Sequence, residues 1–133
     1  MNILVVGAGM YVTGRATQNP DTVLSALAEL SRSIEINKVT ICATKEENNQ
    51  VVKRCSEEVN QILKTNLFVE YKLISEIWKF EDLNQYDCAI VCVPDHIHYE
   101  ISHFLLECKL HVQIVKPLAP TLNEAKKLFR LQQ

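Results

Sequence analysis

Short blocks of consecutive apolar residues alternate along this chain with stretches in which apolar residues recur every third or fourth position. Asn2–Val6, Lys38–Ala43, residues 67–74, residues 88–93 and residues 110–115 are the strand candidates; the run from Asn2 to Val6 has the pattern of a strand buried on both faces, and residues 88–93 are apolar throughout. Between them, Val23, Leu27, Leu30 and Ile34 fall on one helical face, and Val52, Cys55, Val59 and Ile62 fall on another within residues 46–64. Asn19-Pro20-Asp21 offers an N-cap with proline at the first helical position, so the first helix is expected to start near Pro20 and end near Ser33. One short helical turn is expected over residues 78–83 and a helix over His98–Glu107. Thr121 and Glu124 form a capping box that opens a last helix.

Strict alternation of strand and helix predicts a doubly wound parallel sheet in three αβα layers, because right-handed crossovers are the common way to join parallel strands. The expected strand order is 3-2-1-4-5, and the whole of residues 1–133 reads as one domain. In such a sheet ligands bind beyond the carboxyl ends of the strands, at the switch between strands one and four. Residues 7–15, 43–47 and 94–98 converge there.

Composition removes several alternatives. With 47% hydrophobic residues and 14 basic against 16 acidic side chains, the chain is neither a disordered tail nor a polybasic nucleic-acid binder. No apolar run approaches the roughly 20 residues of a membrane-spanning helix, and the N-terminus lacks the basic and apolar regions of an export signal. A cytoplasmic location is therefore expected. The five cysteines are odd in number and form no Cys-x-x-Cys pair, which fits reduced, packed thiols.

Gly7-Ala8-Gly9 ends the first strand. The first glycine permits the sharp turn and the second lets main chain approach a pyrophosphate, with the amides of Met10 and Tyr11 facing the anion. Valine stands at position 12, where a third glycine is usual, and Gly14 is the substitute, implying a longer excursion before the helix near Pro20. Arg15 is a candidate phosphate ligand. At the end of the second strand the chain reads Ala43-Thr44-Lys45, where a carboxylate normally holds a free ribose 2′-hydroxyl. A hydroxyl and an ammonium suit a 2′-phosphate instead, so Thr44 and Lys45 favour NADP over NAD.

Val93-Pro94-Asp95-His96-Ile97-His98 follows the fourth strand. His96 and His98 alternate as a metal pair can, but a lone His-x-His with one carboxylate is a frequent surface accident, and no metal is expected. Val93, Pro94 and His98 are instead read as packing against the cofactor. Lys116, held by Pro117 at the end of the fifth strand, is the candidate catalytic residue. Such a lysine can hydrogen-bond a substrate hydroxyl, and burial makes it fit for proton transfer.

Taken together, these segments resemble the glucose-fructose oxidoreductase, inositol dehydrogenase and rhizopine-catabolism (Gfo/Idh/MocA) family, over its N-terminal dinucleotide-binding Rossmann domain. Val91-Cys92-Val93-Pro94-Asp95-His96-Ile97-His98 is similar to that family's apolar strand followed by Thr-Pro-Asn-x-x-His. Lys109-Leu110-His111-Val112-Gln113-Ile114-Val115-Lys116-Pro117-Leu118-Ala119 is similar to Gly-Lys-His-Val-x-x-Glu-Lys-Pro-Leu-Ala. The resemblance implies hydride transfer between a nicotinamide and a sugar, cyclitol or related substrate, with Lys116 beside both. Val115 takes the place of the family's glutamate, and Asp95 that of its asparagine. The family's second, substrate-binding domain, which usually supplies oligomer contacts and a catalytic aspartate and histidine, is not in these 133 residues. The chain stops within a helix, so a truncated oxidoreductase, inactive alone, is the expectation. A non-catalytic NAD(P)-binding or sensor module is the alternative, and an S-adenosylmethionine site, against which the Lys-Pro segment argues, is a weaker third.

Overall fold

In a computed structural model that describes residues 1–14 and 22–131, five parallel strands form one sheet in the order β3-β2-β1-β4-β5. The strands are β1 (Asn2–Val6), β2 (Lys38–Ala43), β3 (Val69–Leu73), β4 (Cys88–Val91) and β5 (His111–Ile114). The helices are α1 (Met10–Thr13), α2 (Thr22–Leu30), α3 (Asn48–Leu63), α4 (Ile74–Ile77), α5 (Phe80–Leu83), α6 (His98–Glu107) and α7 (Leu122–Leu131). The doubly wound sheet, its order and its layers are those expected from the pattern.

The continuous apolar blocks are explained by two cores, one on each face of the sheet. Alternate residues of a strand point to opposite faces. Ile3 and Val5 of β1, with Val39 and Ile41 of β2, pack on Leu24, Leu27 and Ala28 of α2 and on Val52, Cys55 and Val59 of α3. Leu4 and Val6, with Ala89 and Val91 of β4, pack on the opposite face against Ile77, Leu83, Tyr86, Leu105 and Cys108. A polar cluster stands where β2 meets β3. Buried Thr40 donates to the Glu70 carboxylate at 2.7 Å, and Lys38 pairs with the same oxygen at 3.3 Å. Burial alone would raise the Glu70 carboxyl, but the Thr40 hydroxyl and the ammonium groups of Lys38 and Lys72 outweigh it and hold the group below its ordinary range.

Several boundaries differ from the expectation, each for a local reason. The predicted start of the first helix, Asn19-Pro20-Asp21, lies outside the described residues, and α2 ends at Leu30 in a turn that carries the chain through residues 31–34. Reverse turns from Lys45 to Asn48 and from Glu46 to Asn49 delay α3, which stops where Lys64 turns left-handed at φ 53°. β3 ends at Leu73 because its N–H donates to the Glu76 carboxylate at 2.7 Å, opening α4. The crossover expected as one turn is therefore two, α4 and α5. At the other end of the chain the capping box forms as read: Thr121 N–H and Oγ1 both donate to the Glu124 carboxylate, at 3.0 and 2.7 Å.

Candidate functional site

Three hydrogen bonds at the carboxyl edge of the sheet fix where the loops begin. Gly7 N–H donates to the Cys42 carbonyl at 2.8 Å, Cys92 N–H to Val6 at 2.8 Å and Val115 N–H to Val91 at 3.1 Å. The loops after β1, β2, β4 and β5 thus leave the sheet at adjoining levels, at the switch point between β1 and β4. The two thiols in this edge are inert: burial pushes Cys42 up to about 12 and Cys92 up to about 11.

Gly7 and Gly9 do different work. Gly7 has φ 109°, and a Cβ on it would lie 2.3 Å from the Cys92 carbonyl oxygen, so the turn requires glycine. Gly9 is extended, at φ −78° and ψ −170°, and caps α1. A Cβ there would meet no heavy atom within 4 Å, which leaves open space above the main chain. After the glycines a short helical turn begins at once, at Met10, and the longer helix α2 follows only from Thr22. Val12 is fully buried in the core, on the site of the missing third glycine, and Gly14 ends the turn at φ 86°. Thr13 Oγ1 donates back to the Ala8 carbonyl at 3.1 Å, tying α1 to the loop. Met10 and Tyr11 are exposed beside Gly9. Arg15 lies outside the described residues.

Thr44 and Lys45 are exposed at the end of β2, and the Tyr71 hydroxyl donates to the Lys45 carbonyl at 2.5 Å. Sequence reasoning missed this anchor, since Tyr71 sits on a different strand with no motif around it. Desolvation, ahead of its neighbouring charges, raises the Tyr71 hydroxyl above its ordinary value, so it stays a donor. Val93 is half-buried and Pro94 exposed at the mouth of the β4 loop. His98 requires correction: it is fully buried, with Nε2 at 2.7 Å from the Val93 carbonyl oxygen and Nδ1 against that of Pro117. Its ring lies under the crevice rather than on its surface. Lys116 is at the edge, beyond the last rung of β5, and is exposed, so the burial that fits a lysine for proton transfer is not supplied by the described residues.

Among the described residues no three His, Cys, Asp or Glu side chains gather as a metal site, and no helix is long and apolar enough to cross a membrane. A cleft of about 800 Å³ opens at the opposite, amino-terminal edge of the sheet, among Met1, Ile3, Leu30, Leu110 and Leu131. It is remote from these loops.

The family model for Gfo/Idh/MocA proteins, described as an oxidoreductase family with an NAD-binding Rossmann fold, matches residues 1–133. The chain belongs to this family. No curated protein matches the sequence. Among solved structures, a levoglucosan dehydrogenase in complex with NADH is 18% identical at a TM-score of 0.63, covering 98% of this chain and 31% of that one. A 3-ketoreductase from Actinomadura kijaniata with NADP and TDP-benzene is 20% identical at 0.63, covering 99% and 34%. An oxidoreductase from Agrobacterium radiobacter with NAD+, L-tartaric acid and magnesium is 14% identical at 0.61, covering 98% and 32%. At these identities the likeness shows the fold. The chain spans about a third of each of those structures.

For a Gfo/Idh/MocA domain, the cradle at Gly9 passes a test of fit. The space a Cβ would fill is free, the first amides of α1 have no partner within the helix, and the loop sits at the switch point. The family-specific departures also have visible places. Val115 is half-buried against the core on the α2 and α3 face of the sheet, so an apolar side chain there packs where a carboxylate would need partners.

Proposed function

We propose that this chain is the dinucleotide-binding part of an oxidoreductase that moves hydride between NADP or NAD and a sugar, cyclitol or related hydroxyl or carbonyl compound in the cytoplasm. The observation that carries the reading is the extended main chain at Gly9, where an added Cβ would meet no heavy atom of the described residues within 4 Å. The dinucleotide, when bound, supplies or accepts the hydride at its nicotinamide. Gly7 makes the turn that lets the main chain of Gly9, Met10 and Tyr11 hold the pyrophosphate, Arg15 serves as a further phosphate ligand, and Val93 and Pro94 form the wall beside the ring. Lys116 stands where it can hydrogen-bond a substrate oxygen, while the pocket that selects the substrate and buries the lysine comes from outside these residues. The dinucleotide complexes of the levoglucosan dehydrogenase and the 3-ketoreductase support the cofactor class. A homo-oligomer is proposed for the complete enzyme.

Thr44 and Lys45 make NADP the preferred form, with the Tyr71 hydroxyl steadying the Lys45 main chain. Replacing the pair, as Thr44→Ser with Lys45→Asp, is expected to weaken NADPH binding about tenfold or more while NADH binding holds or improves, because a carboxylate repels a 2′-phosphate and accepts from a free ribose hydroxyl. Fluorescence titration of Trp78 with each nucleotide reads the ratio; an unchanged ratio removes the NADP preference. A second reading, a non-catalytic NAD(P)-binding module, is favoured by Val115 in place of the glutamate and by the exposure of Lys116.

A further inference from the structure

The segment between the last rung of β5 and the start of α7 carries Lys116, yet it has almost nothing to hold it. Val115 N–H still donates to Val91, and regular structure resumes only with the Thr121 cap. Among the described residues, the Pro117 carbonyl is the one group of residues 116–120 with a hydrogen-bond partner, and that partner is Nδ1 of His98. Pro117 itself has no N–H to offer. The opposite side of the same ring, Nε2, meets the Val93 carbonyl at 2.7 Å. One buried imidazole thus stands between the loop after β4 and the loop after β5, with a carbonyl of each at hydrogen-bond distance from a ring nitrogen.

Resting on the dinucleotide reading above, we propose that His98 is a positioning residue: its Nδ1–H holds the Pro117 carbonyl and thereby fixes Lys116 at the rim of the crevice. The ring is well placed for it. His98 opens α6, so its backbone is set by a ten-residue helix packed on the sheet, and its side chain is fully buried, where a hydrogen bond is not exchanged for one to water. Hydrogen inventory adds a constraint. A neutral imidazole has one N–H and the doubly protonated ring has two, so both carbonyls are served together only by the latter, and the bridge to Pro117 exists in any form with a proton on Nδ1. The tautomer protonated on Nε2 alone sets a lone pair against the Pro117 oxygen and has no such bridge.

Two substitutions separate the two ends of the ring. An asparagine amide reaches the place of Nδ1 and a glutamine amide that of Nε2, so His98→Asn keeps the Pro117 contact and His98→Gln keeps only the Val93 contact. In the 133-residue chain, His98→Asn is expected to leave the amides of Lys116, Leu118 and Ala119 rigid by ¹H–¹⁵N heteronuclear NOE, with NADPH affinity within about twofold of wild type. His98→Gln is expected to make that segment mobile and to weaken NADPH binding about tenfold, the scale of one buried hydrogen bond. A residue that only filled space would lower the melting temperature in both variants without dividing them. On the unsubstituted chain, ¹⁵N-edited spectra of the ring are expected to show a proton on Nδ1. A bare Nδ1, or equal mobility of the Lys116, Leu118 and Ala119 amides in the two variants, overturns the proposal. If the mobility divides as expected but no form of the chain binds NADPH, the dinucleotide reading fails and the positioning role stands.

Discussion

Gly9→Leu is expected to leave the domain folded and to abolish dinucleotide binding, a loss of about a hundredfold or more in affinity, or roughly 2.7 kcal/mol. The two halves of this expectation have separate causes. Folding survives because Gly9 is exposed, its backbone is in an extended conformation open to any residue, and a Cβ there meets no heavy atom of the described residues within 4 Å. Binding is lost because the leucine then fills the space through which main-chain amides reach a pyrophosphate. A circular dichroism melt within a few degrees of the parent, paired with the absence of a response to NADPH, is the expected pattern. Wild-type affinity in this variant would mean that the pyrophosphate lies elsewhere.

Gly7→Ala should do the reverse, acting on the fold itself. The φ of 109° is costly for any residue with a Cβ, about 1–3 kcal/mol, and the added methyl would stand 2.3 Å from a carbonyl oxygen of the neighbouring strand end. That oxygen belongs to Cys92, whose own N–H is bonded to Val6 at 2.8 Å, so the main chain has little freedom to retreat. A total of about 3–5 kcal/mol is a large share of the roughly 5–15 kcal/mol that holds such a domain together. The melting temperature is expected to fall by roughly 10–20 °C, and urea unfolding to shift to a lower midpoint. A drop of only a degree or two would contradict the geometry assigned to this turn.

Much of this fold is legible in the residues because its determinants are local and repetitive. Predominantly apolar strands such as Asn2–Val6 and Lys38–Ala43 announce a sheet covered on both faces, and their ends coincide with the expected ones since Gly7 and the polar Thr44 stop them. The Thr121–Glu124 cap is similarly a matter of four residues. The elements that escaped notice lack such signals. A four-residue helix such as α1 or α4 is too short to show periodicity, and its presence depends on a single cap or on a neighbouring strand end. Of the site, the glycines and the strand-end residues can be found by position in the first βα unit, whereas the burial of His98 and the bond from Tyr71 to Lys45 join residues 19 and 26 positions apart, which only the folded sheet brings together.

The central claim is that main chain at the first strand end, together with the loops that adjoin it, holds a dinucleotide. It is tested most directly by the ¹H–¹⁵N correlation spectrum of the chain during titration with NADPH. The account predicts saturable shifts concentrated at Gly7, Gly9, Met10 and Tyr11, then at Thr44, Lys45 and Lys116, with the amino-terminal edge around Ile3 and Leu110 unchanged. Shifts confined to that opposite edge, or no saturable change at millimolar nucleotide, where binding is weaker than about −4 kcal/mol, would contradict it.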